Sequence, residues 1–152
     1  MPAYNPQRWS AFPAVFQNNC YNYALDQRDG TFRQPGVGTL GPLRAGEQGN
    51  VGLIVQRALS DGLIAVSEPS CKDPDGWPVA LVIAPPQPQL ADGDFHWYRL
   101  DDDGSWSHKQ GRLPPARLDS LGRRIVDPAT CARGPYLFFG GYFCVIPARL
   151  RI

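Results

Sequence analysis

Residues 94–109, "DFHWYRLDDDGSWSHK", read as a β-hairpin: two short runs of aromatic and alternating residues flank "DDDG", whose acidic residues and glycine favour chain reversal. If the connection runs from Leu100 to Gly104, the turn centres on Asp102, and Tyr98 faces Trp106 while His96 faces His108. A turn centred half a residue away shifts this pairing, so the register stays open. Under the first register the two imidazoles, the only ones in the chain, are neighbours on one sheet face. Two apolar runs supply further strands: "PVALVIAPP" at 78–86, with the look of a buried strand, and "YLFFGGYFCVIP" at 136–147.

Upstream of the sheet the periodicity changes. "CYNYALDQR", 20–28, reads as a helix capped by Asn18 or Asn19 and stopped by Asp29–Gly30. "NVGLIVQRALSDG", 50–62, places Val51, Ile54, Val55 and Leu59 on one helical face, with Asn50 as its opening and Gly62 as its end. "LIAVS", 63–67, is a short strand and "CKDPDGW", 71–77, a turn. Residues 1–16 read as an extended arm on the surface. Residues 30–50, crowded with Gly and Pro, read as a long ordered loop. Helices first and strands second, without βαβ alternation, give an α+β architecture in which N-terminal helices pack on an antiparallel sheet.

The totals fit one domain spanning 1–152: 152 residues, 43% hydrophobic, formal net charge +1. Near-neutral charge without a basic stripe argues against nucleic acid or an anionic membrane as partner. No apolar stretch has the length of a membrane span, and Pro2, Pro6 and Pro13 interrupt any signal-like run. The expected location is the cytoplasm or export by a leaderless route, and the expected state a monomer. The 16 Gly and 16 Pro favour turns and short elements over a helical bundle.

Cys20, at the start of the first long helix, is the candidate nucleophile. A thiol attacks as thiolate, and a helix N-terminus or a nearby imidazolium lowers its pKa. If the sheet face bearing His96 packs against that helix start, His96 is the base and His108 orients it. This order, a helix opening Asn-Cys-aromatic, a second helix, then strands carrying His96 and His108, resembles the NlpC-type cell-wall hydrolases and their CHAP relatives, which are papain-like cysteine peptidases. The resemblance implies a single papain-like cysteine hydrolase domain, a peptidase or amidase acting through Cys20, His96 and His108 on a peptide or peptidoglycan-like substrate, as in a toxin or effector. It requires no cofactor. The backbone of Cys20 would form the oxyanion hole, with Gln17, Asn18, Asn19 or Tyr4 beside it and Trp97 or Trp106 lining a substrate groove. An acyl or amide transferase would use the same residues.

Blander readings stand beside these. Cys20 is equally a packed core thiol, and the histidines a satisfied sheet pair, in which case the chain is a non-catalytic binding module with an aromatic hairpin surface. Zinc held by Cys20, His96 and His108 would need a fourth ligand or an open position, and no CxxC pair is present. "DDDG" lacks the ligand spacing of a calcium loop, and "GVGTLG", 36–41, lacks the strand-before, helix-after setting of a phosphate loop. Most aromatics, including Tyr98, Tyr136, Phe138, Phe139, Tyr142 and Phe143, belong to the core. Cys71 and Cys131 lie in loop-like contexts suited to a disulfide, and Cys144 reads as core.

Overall fold

The run at 77–84 becomes the central strand of the molecule, and every residue of it is buried. A computed structural model describes all of residues 1–152. In chain order the elements are α1 (Pro6–Ser10), α2 (Ala14–Gln17), α3 (Cys20–Ala24), α4 (Val37–Leu40), α5 (Val51–Ser60), β1 (Ile64–Val66), β2 (Trp77–Ala84), β3 (Asp94–Leu100), β4 (Trp106–Lys109), β5 (Pro115–Ala116) and β6 (Phe138–Val145). The strands form one sheet in the order β1-β6-β2-β3-β4-β5, with every pair antiparallel. Mixed α and antiparallel β architecture is therefore present, with strands dominant and most helices a turn or so long. No helix is long and apolar enough to cross a membrane.

The period-two alternation of strand side chains sorts the core into two layers. Val79, Leu81 and Ile83 of β2, with Phe95 and Trp97 of β3, face α3 and α5 and pack with Cys20, Tyr21, Leu25 and Ile54. Ala80, Val82, Tyr98 and Trp106 face the opposite way, under Ile125, Cys131 and Tyr136 of the long segment before β6. His96 and His108 share this second face, because each is separated from Tyr98 or Trp106 by an even number of residues.

The hairpin register differs from the first expectation by two residues: Tyr98 pairs with His108 and Leu100 with Trp106. The reversal sits later because Asp103 Oδ1 accepts from Ser105 N and Gly104 takes the left-handed conformation, φ +77°. A two-residue shift leaves every side chain on its face, so the histidines stay neighbours, now diagonal.

Three local readings need correction. Residues 1–16 form α1 and α2 rather than an extended arm, and Trp9, Ala14 and Val15 are buried. The helix starting at Cys20 ends at Ala24, because Asp26 turns to φ +53° and its carboxylate binds Arg8 and Arg99. The disulfide joins Cys71 to Cys144, with Cα atoms 5.4 Å apart, while Cys131 is a free thiol. Loop position had favoured Cys131, but Cys144 on β6 lies against the turn that precedes β2.

The loop at 30–50 is ordered by buried polar groups from α3 and α5, and it contains α4. Arg57 donates to Pro35 O (3.1 Å) and Gly41 O (2.8 Å), and Asp61 accepts from Gly36 N (2.7 Å) and Tyr21 Oη (2.8 Å). Its far end meets the start of β3 through glycines. A Cβ on Gly93, which has φ +65°, would lie 2.4 Å from Gly49 Cα, so only glycine permits this approach. That contact sets Gln48 beside Asp94 at the edge of the sheet.

Candidate functional site

Between the start of α3, the 30–50 loop and the start of β3 lies a cavity of about 230 Å³. Cys20, Asn19 and His96 line it, with Asp94, Phe95 and Tyr136 along the strand side and Phe32, Gln34, Gln48 and Gln110 at the loops. A larger depression of about 980 Å³ runs along β1 and the 67–74 turn, but it gathers no buried polar side chains apart from the disulfide sulfur of Cys144.

Asn19 builds the start of α3. Its Oδ1 accepts from Tyr21 N (3.0 Å) and Asn22 N (3.1 Å), Asn22 Oδ1 returns a bond from Asn19 N, and Asn19 Nδ2 donates to Arg33 O (2.7 Å). The carboxamide is thus committed to capping and to holding the loop, not to a bound oxyanion. Cys20 follows, 5% exposed, and its thiol donates weakly to Phe95 O at 3.9 Å. Burial, reinforced by the Asp94 charge, pushes the Cys20 thiol up to about 12. At neutral pH it is a thiol, the reverse of what a nucleophile at a helix start requires.

The histidines meet each other instead. His96 Nε2 lies 2.8 Å from His108 Nδ1, and His108 Nε2 lies 2.9 Å from Leu118 O. A carbonyl only accepts, so His108 Nε2 carries the proton, His108 Nδ1 accepts, and His96 Nε2–H donates. Tyr98 stacks on His108 with centroids 5.0 Å apart, and Tyr136 leans on His96 at 5.3 Å. Burial lowers both imidazole pKa values, in His96 with help from its partner. Tyr136 Oη donates to Asp94 Oδ2 at 2.6 Å, and burial raises the Asp94 carboxyl.

Because the folded imidazoles resist protonation, the unfolded chain takes up protons first as pH falls below about 6.5. Stability is expected to drop from there by up to about 1.4 kcal/mol per pH unit for each imidazole. The raised carboxyls of Asp61, Asp94 and Asp101 act with the opposite sign at lower pH, and Asp119 favours charging of His108. Denaturant titrations between pH 7 and 5 check this: the slope should flatten in His96→Gln/His108→Gln, and an unchanged slope would assign it to other groups.

The remaining residues singled out from sequence are dispersed. Tyr4 donates to Pro115 O and carries the Arg117 guanidinium 3.9 Å over its ring, at the β5 edge. Gln17 is exposed and lies against Gly30. Trp97 is fully buried between Tyr21 and Phe143, and Trp106 is buried on the second face near Tyr142, so neither forms a groove. Cys20, His96 and Asn19 do come to one cavity, and His108 stands behind His96. Sequence reasoning missed Asp94, Tyr136 and the glutamines; Gly49 and Gly93 were the one signal that the loop and β3 come close. No cluster of three or more His, Cys, Asp or Glu side chains could hold a metal ion.

Comparison with known proteins bears on the chemical reading. The chain is 38% identical over 149 residues to insoluble matrix shell protein 1 of Ruditapes philippinarum, covering 98% of this chain and 93% of that protein. The chain belongs to the insoluble matrix shell protein 1 family. No family model matches it, and no solved structure matches it. Membership of the insoluble matrix shell protein 1 family overturns the resemblance to NlpC and CHAP peptidases, and with it the cysteine hydrolase and its toxin or effector variant. Order and spacing of Cys, His and His misled because they describe where residues stand along the chain. They do not describe a thiol bonded to a carbonyl and an imidazole whose N–H is committed to a second imidazole.

Proposed function

We propose that the chain is a non-catalytic structural module of an extracellular matrix, in which the cleft beside α3 serves for binding. The observation that carries this reading is the identity to insoluble matrix shell protein 1 along nearly the whole chain. A matrix location accords with the Cys71–Cys144 bond, since disulfides persist in oxidising compartments. The high thiol pKa of Cys20 supports a packing role for that residue. The recognition surface is not the hairpin, whose Trp97, Tyr98 and Trp106 are buried. Phe32 is the exposed aromatic side chain that lines the cleft.

Fractionation of the source organism with an antibody to this chain tests the proposal. The chain should appear in extracellular material that resists salt extraction, with its disulfide formed. A reduced chain found only in the soluble contents of cells would overturn it.

A further inference from the structure

The cleft is lined by a histidine with one ring nitrogen that the protein itself leaves without a partner. His96 is 2% exposed, and with its Nε2–H given to His108 the Nδ1 lone pair has no hydrogen bond, on a residue that lines the cavity. A ligand O–H or N–H entering the cavity would supply that acceptor with a donor. Asp94 is a second acceptor, and Gln34, Gln48 and Gln110 bring carboxamides to the loop side. Neither Lys nor Arg lines the cavity, so an anion meets no counter-charge there.

The lip adds an apolar surface. Phe32 is 42% exposed at the mouth, and its N–H donates to Gln17 O, which sets it beside α2. Phe16 of α2 packs edge to face with Phe12 at 6.2 Å, both open to solvent. Polar groups deep inside and aromatic faces at the rim complement a ring with hydroxyls around its edge and C–H groups on its face.

We infer that the cleft binds a neutral sugar unit of a polysaccharide, one hydroxyl donating to His96 Nδ1 and the neighbouring ring lying on Phe32. This rests on the non-catalytic reading above, to which it adds the class of ligand. The full chain with its disulfide intact, labelled with ¹⁵N-histidine, is titrated with cellotetraose, xylotetraose and tetra-N-acetylchitotetraose. The His96 Nδ1 resonance should move saturably with at least one of them. Phe32→Ala should weaken that binding by about tenfold or more, as loss of a stacked anchor does. Leu121→Ala, exposed and outside the cleft, should bind as the parent does.

No saturable shift with any of the three, undiminished affinity in Phe32→Ala, or a shift given only by a Gly-Ser peptide overturns the sugar assignment. Mass spectrometry of the same samples separates the underlying reading: intact saccharide and unmodified Cys20 uphold it. Shortened saccharide or an acylated Cys20 would overturn the non-catalytic reading itself.

Discussion

Arg99→Met is expected to lower the unfolding free energy by about 3–5 kcal/mol, because it leaves the buried Asp101 carboxylate with only the longer 3.7 Å ion pair to Arg117. Arg99 is fully buried on β3, its Nε 2.9 Å from Asp101 Oδ1, itself without exposure. The same guanidinium donates to Tyr23 O (3.2 Å), Tyr23 Oη (3.1 Å) and Ala3 O (3.3 Å), and lies 4.0 Å from the Tyr23 ring centroid. It therefore ties β3 to α3 and to the N-terminal segment at once. Urea unfolding of the variant should show a lower midpoint with an unchanged slope. The double variant Arg99→Met/Asp101→Leu should recover part of the loss, since it removes the poorly compensated charge as well. A loss below about 1 kcal/mol would mean that the network adds little beyond surface ion pairs.

Reducing the Cys71–Cys144 bond should have an effect of similar size. The bond closes a loop with a sequence separation of 73, for which loop-closure entropy alone corresponds to about 4 kcal/mol. Set against a typical total of about 5–15 kcal/mol, this decides whether the fold survives mild denaturation. Guanidinium unfolding with and without reductant, or of Cys71→Ala/Cys144→Ala, measures it. Coincident curves would show that β1, β6 and the 67–76 turn hold together without the bond. A chain with this dependence is suited to an oxidising compartment, which links the stability argument to the proposed matrix location.

The elements readable in the sequence were those whose signal is local. Asn50 and the apolar face at Val51, Ile54 and Val55 marked α5, and the apolar run at 78–86 marked the strand that the structure places at Trp77–Ala84. Asn18 and Asn19 marked the start of α3, with the structure choosing Asn19 as the cap, but its end depended on Asp26 being drawn to Arg99, a partner 73 residues away. The hairpin was visible and its register was not, because the choice among Asp101, Asp102 and Asp103 rests on which carboxylate turns back to the backbone. At the candidate site the meeting of His96 and His108 followed from their spacing and common face. Their chemistry did not, since burial of Cys20 and the fixed imidazole tautomers arise only from tertiary packing. Asp94, Tyr136 and Gln48 come from three separate stretches of chain and carry no common local pattern.

The pH dependence of Cys20 alkylation tests most directly the claim that this cleft binds and does not catalyse. In Cys131→Ser, with the disulfide intact, Cys20 is the sole free thiol, and iodoacetamide incorporation can be followed by mass spectrometry. The account predicts negligible native labelling at pH 7, a rise only as pH approaches about 12, and full labelling after denaturation. Rapid stoichiometric labelling at pH 7, with an apparent pKa below the ordinary thiol value of about 8.5, would contradict it.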